Sequence, residues 1–114
     1  MAKTKGQNRG ETPSGRTDRA ALIARLQAHG DEIRGQGVAS LAIFGSRARG
    51  DERPDSDLDV LIAYDPDRPF TLYDLVRVEH LLERLTGLDV HVSTRDGFRH
   101  DRLPRILKDA VSVL

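Results

Sequence analysis

Cysteine is absent from the 114 residues, and so is tryptophan. The chain can build neither a disulfide nor a thiolate metal site, which suits a cytoplasmic setting. Aromatic side chains are few: Phe44, Phe70, Phe98, Tyr64 and Tyr73. Single-stranded nucleic acid is held by stacking its bases on aromatic platforms, and the chain has too few rings for that. There is no basic excess either. Eighteen Lys and Arg face 18 Asp and Glu, so no long-range field draws DNA or RNA, and direct nucleic-acid binding is not expected. No run of about 18 apolar residues occurs, so no membrane span is expected. The N-terminus lacks the apolar core of a signal peptide.

The length suffices for one compact domain. Residues 1–17, MAKTKGQNRGETPSGRT, contain no large branched apolar side chain. They cannot offset the entropy of ordering and read as a disordered tail, leaving 18–114 as the domain. Thr17 or Asp18 can cap a helix with apolar positions at Leu22, Ile23, Leu26 and Ile33, ended by Gly35 and Gly37. His29 in that helix reads as a surface residue. VASLAIF, 38–44, is a short apolar run between Gly37 and Gly45 and predicts a buried strand. DLDVLIAY, 57–64, alternates with period two and predicts another. The spacing of Leu72, Leu75, Val78, Leu82 and Leu85 predicts a helix over 71–86, stopped by Gly87. LDVHVS, 88–93, is a third strand, and Asp96-Gly97 a turn. Pro104 opens a short last helix, and AVSVL closes as an edge strand. The fold class is α/β (α+β): a single mixed sheet with helices packed on one side.

The stretch GSRARGDERPDSDLD, residues 45–59, places a basic, glycine-flanked turn before alternating aspartates. Asp57 and Asp59 lie two apart on a strand, so both project from one sheet face with Cα atoms about 7 Å apart. Carboxylates at that spacing can bridge two divalent ions held ~4 Å from each other. Hard oxygen donors favour magnesium or manganese over zinc. On the third strand Asp89, His91 and Ser93 share one face, and if the strands are neighbours Asp89 reaches the same site. Three convergent carboxylates repel one another unless a cation joins them. Gly45 permits a tight turn and close approach to a ligand. Ser46 offers a hydroxyl and an N–H, and SRARG can begin a short helix whose free N–H groups attract anions. Arg47 and Arg49 can add charge-assisted bonds to phosphate, with room for one of them to point inward. The basic turn would hold a triphosphate and the aspartates the magnesium that bridges it. Each piece alone is common: most D-x-D pairs are solvated, and Asp51, Glu52 and Asp55 read as plain loop. The joint pattern is far more specific.

That pattern, Gly45-Ser46, ten residues, Asp57-x-Asp59, then Asp89, resembles the signature of the polymerase-beta-like nucleotidyltransferase superfamily. The short length with GSRARG and SDLDVLI is most similar to its minimal nucleotidyltransferase group, over residues 20 to 114. The resemblance implies that Gly45 and Ser46 contact nucleotide phosphates. It also implies that Asp57, Asp59 and Asp89 bind two metal ions, with Asp89 as ligand or general base near the acceptor. It further implies an antitoxin partnered with a HEPN-type RNase toxin, acting by transfer of AMP from ATP to a hydroxyl of that partner (AMPylation). Two other readings stand beside it: an antitoxin that only covers its toxin, and a small-molecule nucleotidyltransferase of the antibiotic-modifying kind. The absence of a second domain counts against the latter, and a chain this small is expected to borrow a partner's surface as its acceptor pocket.

Overall fold

The computed structural model describes residues 19–97 and 102–114; the 1–17 tail and the helix cap at Thr17 or Asp18 lie outside them. The elements in chain order are α1 (Arg19–Ala28), α2 (Gly30–Gly35), β1 (Val38–Phe44), α3 (Ser46–Arg49), β2 (Leu58–Tyr64), α4 (Leu72–Thr86), β3 (Val90–Thr94), α5 (Leu103–Asp109) and β4 (Val111–Ser112), with a 3-10 turn at Arg95–Gly97. The four strands form one mixed sheet in the order β3-β2-β1-β4. β1 runs antiparallel to β2 and β4, while β2 and β3 are parallel.

Alternation along the central strands decides which face is covered. Leu41 and Ile43 of β1 and Leu58, Val60 and Ile62 of β2 are fully buried. They join Leu22 and Leu26 of α1 and Val78 and Leu82 of α4 in a single core, so α1 and α4 cover this face. The other face carries Phe44, Asp59 and His91, paired in register across β1, β2 and β3. Residues paired across a ladder project to the same side.

Three local outcomes depart from the sequence pattern. The helix expected to run continuously to Gly35 breaks at His29 (φ −106°, ψ 22°). Gly30 begins the second segment and is buried, and a Cβ there would lie 3.2 Å from Leu114 Cδ2. Lacking a side chain, it lets α2 press against the C-terminal residue. His29 itself is a surface residue, paired with Glu32 at 3.5 Å. Leu72, placed on the apolar stripe of α4 by its spacing, is 74% exposed in the first turn. The helix proper is well bounded. The Thr71 hydroxyl accepts from Asp74 N–H while the Asp74 carboxylate accepts from Thr71 N–H at 2.7 Å, and Gly87 closes the C-terminus at φ 72°. Finally, β3 starts at Val90 instead of Leu88, because Leu88 N–H is spent on Thr86 Oγ1 at 3.2 Å.

β3 is a sheet edge, and two of its outward N–H groups are satisfied from α4. Val90 N–H donates to Glu83 Oε2 at 3.2 Å and Val92 N–H to Glu79 Oε2 at 3.1 Å. The two glutamates lie one helical turn apart, the spacing that matches alternate residues of the strand. The opposite edge is the two-residue β4.

Candidate active site

β1 delivers Phe44 to the end of the sheet, and the chain turns at once through Gly45. Its backbone (φ 75°, ψ −158°) is reserved in practice for glycine. The turn opens α3, where the N–H groups of Ala48 and Arg49 both bond back to Gly45 O at 3.1 Å. Asp59 lies beside Phe44 on the adjoining strand. A Cβ on residue 45 would stand 2.4 Å from Asp59 Oδ2, so the carboxylate occupies the space that a glycine leaves.

Two adjoining hollows meet at Asp59. One, of about 490 Å³, has Gly45, Ser46 and Arg49 on one wall and Arg105, Ile106 and Asp109 of α5 on the other. The second, of about 370 Å³, extends past His91 and Ser93 to Arg102. Phe44, Asp59, Arg105 and Ile106 border both. The result is a continuous cleft on the sheet face opposite α1 and α4, with α5 standing along it.

Asp59 has a carboxyl pKa raised above its ordinary 3.8. Burial is the largest cause; the nearby Asp57 charge adds to it, and His91 and Arg49 act in the opposite sense. Asp57 is exposed and precedes the first residue of β2. Asp89 is likewise exposed and precedes β3. Leu58 N–H donates to Asp89 O at 2.8 Å, which sets Asp57 and Asp89 side by side where the two parallel strands begin. Among the described residues no three carboxylate or imidazole groups converge into a ready-made metal cage. Asp57, Asp59 and Asp89 thus share one end of one sheet face without closing on a common point. The donor set still fits a hard divalent cation. Its central carboxylate is partly desolvated, pressed against Gly45, and close to a like charge, a combination that a bound cation relieves.

The two arginines of the turn have different duties. Arg49 lines the cleft and pairs with Asp51 at 3.2 Å and, across to α5, with Asp109 at 3.7 Å. Arg47 does not line it. Its side chain is buried, and its guanidinium donates to the carbonyls of Ser56 (2.9 and 3.0 Å), Pro54 (3.4 Å) and Arg53 (3.5 Å). It pins the loop between α3 and β2. Glu52, read as plain loop, is buried as well. Residues 45, 46, 49, 57, 59 and 89 are therefore assembled at one end of the sheet, and 47 supports them from below the loop. Sequence reasoning missed the contribution of Arg102 and, from α5, of Arg105, Ile106 and Asp109. Nothing in LPRILKD signals a return to the carboxylates, because only the tertiary fold brings it there.

A glycine-serine turn entering a one-turn helix, set against an aspartate of a D-x-D on the neighbouring strand, defines a nucleotidyl-transferring type of site. Comparison with known proteins agrees. The family described as nucleotidyltransferase domain matches residues 29–113, and the chain belongs to it. The protein adenylyltransferase MntA of Thermococcus cleftensis is 33% identical over 89 residues, covering 77% of this chain and 88% of that protein. A Methanocaldococcus jannaschii protein, provisionally named a protein adenylyltransferase, is 38% identical over 78 residues, covering 68% and 82%. Among solved structures, one provisionally described as a minimal nucleotidyltransferase superposes with a TM-score of 0.72 at 35% identity, covering 83% of this chain and 95% of its own. A toxin-antitoxin crystallised with AMP-PNP shares the fold at a TM-score of 0.63 and 12% identity, covering 77% and 72%.

Proposed function

We propose that this chain is a metal-dependent nucleotidyltransferase that moves AMP from ATP to a hydroxyl of a partner protein, and that the partner is a HEPN-type RNase toxin silenced by the transfer. The observation that carries the reading is Asp59, held against Gly45 at the meeting point of the two hollows. Similarity to relatives named protein adenylyltransferases supports the choice of AMP and of a protein acceptor.

In this reading the triphosphate lies along the hollow of Gly45, Ser46 and Arg49. Asp57 and Asp59, with Asp89 beside them, hold two magnesium ions or manganese in their place. When bound, those ions neutralise charge on the phosphates and lower the pKa of the acceptor hydroxyl. The acceptor oxygen forms a bond to the α-phosphorus, the bond from that phosphorus to the bridging oxygen breaks, and pyrophosphate leaves with the electron pair. The hydroxyl proton passes to a carboxylate on the β3 side, with Asp89 positioned there.

The deciding experiment incubates the chain with the toxin, ATP and magnesium and weighs the toxin by mass spectrometry. Wild type adds AMP to the toxin; Asp59→Asn adds none and fails to neutralise it. If Asp59→Asn protects cells as well as wild type does, the toxin is silenced by being covered and transfer is not the mechanism.

A further inference from the structure

Arg105 occupies the central position of the cleft wall, bordering both hollows with Asp59. Its charge differs in availability from the other cation of the phosphate-side hollow. Arg49 is already engaged by Asp51 and Asp109. Arg105 has no acidic partner among the described residues, nor does its guanidinium hydrogen-bond to any of them, while its backbone N–H bonds to Arg102 O at 3.1 Å. The acidic groups bordering the phosphate-side hollow are Asp59 and Asp109. Asp109 is matched to Arg49, and Asp59 is the proposed cation ligand. A polyphosphate brings several negative charges into that space, and Arg105 is the lining cation there still free to meet them. Guanidinium geometry also suits it, because two parallel N–H groups can grip two non-bridging oxygens at once.

We infer that Arg105 of α5 is a substrate-binding residue that clamps the polyphosphate of the nucleotide across the cleft from the Gly45-Ser46 turn. The inference rests on the nucleotidyltransferase reading of the same cleft. α5 then forms the second jaw of the phosphate site, anchored to the first by the Arg49–Asp109 ion pair. Electrostatic clamping makes a distinctive demand. Arg105 should matter in proportion to the number of phosphates, and not to the nucleoside they carry.

The test is equilibrium binding of AMP-PNP and of AMP, each with magnesium, to wild type, Arg105→Gln and Arg105→Lys, with thermal melts alongside. Arg105→Gln should weaken AMP-PNP by about tenfold or more, as expected for loss of a charge-assisted bidentate contact. AMP should change by less than about threefold, and Arg105→Lys should recover part of the AMP-PNP loss. Melting temperatures should match wild type, since the side chain has no polar partner to lose among the described residues. In transfer assays the KM for ATP should rise more than kcat falls. AMP-PNP affinity unchanged in Arg105→Gln overturns the inference and leaves the functional proposal standing. Equal losses for AMP-PNP and AMP, or a lowered melting temperature that Arg105→Lys restores, also overturn it, by assigning the residue to structure. Wild type that binds neither nucleotide overturns both.

Discussion

Replacing Gly45 by alanine tests how the site is built, because two separable costs converge on one methyl group. The backbone at φ 75°, ψ −158° lies in a region that side chains disfavour by about 1–3 kcal/mol. The new Cβ would also sit 2.4 Å from Asp59 Oδ2 and 3.2 Å from its Cγ, so the carboxylate must swing away. A domain of this size loses about 4–8 °C of melting temperature per kcal/mol, so the backbone cost alone predicts a fall of roughly 5–20 °C. Transferase activity should fall further than the folded fraction, since the displaced carboxylate is the proposed cation ligand. A double-mutant cycle isolates the contact. Asp59→Ala removes Oδ2 and Cγ and leaves a Cβ at 3.4 Å, an ordinary approach. In that background Gly45→Ala should cost less by about 1 kcal/mol or more, the surviving cost being that of the backbone. The measurement is thermal unfolding of the four proteins, without nucleotide and with AMP-PNP and magnesium. Equal costs in both backgrounds would refute the steric account of Asp59, and an unchanged melting temperature would refute the account of Gly45 altogether.

Further outcomes follow from the same site. Because the Asp59 pKa is raised in the folded protein, the native state keeps its proton longer than the unfolded chain does. Its contribution to stability is therefore full below the ordinary value of 3.8 and is lost as pH rises through the folded pKa. Asp59→Asn should be more stable than the metal-free wild type at neutral pH, and the advantage should shrink as pH falls through that window in a series of denaturant melts. A pH-independent difference would place its origin elsewhere. Arg47→Met should destabilise by about 3 kcal/mol, since three backbone carbonyls lose a charged donor, yet the folded fraction should bind AMP-PNP as wild type does. Weakened nucleotide binding at unchanged stability would return Arg47 to the phosphate site.

Strands were legible because their alternation and their glycine borders are local signals. β1 falls at 38–44 as read from VASLAIF, and β2 begins one residue inside the expected span. The α4 boundaries were equally readable from Thr71, the leucine spacing and Gly87. The break at His29 was not, because Leu22, Leu26 and Ile33 keep a helical period across it; the break falls where Gly30 packs closely on Leu114, a contact 84 positions away in sequence that no local pattern reveals. The same limit applies to the site. Gly45, Ser46, Asp57 and Asp59 lie within one stretch, and their spacing exposes them. Arg47 and Arg49 are indistinguishable in sequence, and only the loop at Ser56 decides that one turns inward to its carbonyls. Arg105 is a surface arginine by every local measure, and its place opposite the carboxylates depends on where α5 docks.

The two glutamates of α4 that receive the β3 amides also determine how copies of this chain can meet. An edge strand with free, evenly spaced amides is a template for another strand, and hence for fibrous self-association. Here the amides of Val90 and Val92 already have acceptors, and an incoming strand would have to displace two carboxylates and confront their charge. The far edge offers only Val111–Ser112, too short a ladder to recruit a foreign strand firmly. The sheet is in effect terminated on both sides. Association with another protein is thereby directed to the side-chain surfaces of the helices and the cleft, and a Glu79→Ala, Glu83→Ala double variant should trade solubility for strand-mediated clumping.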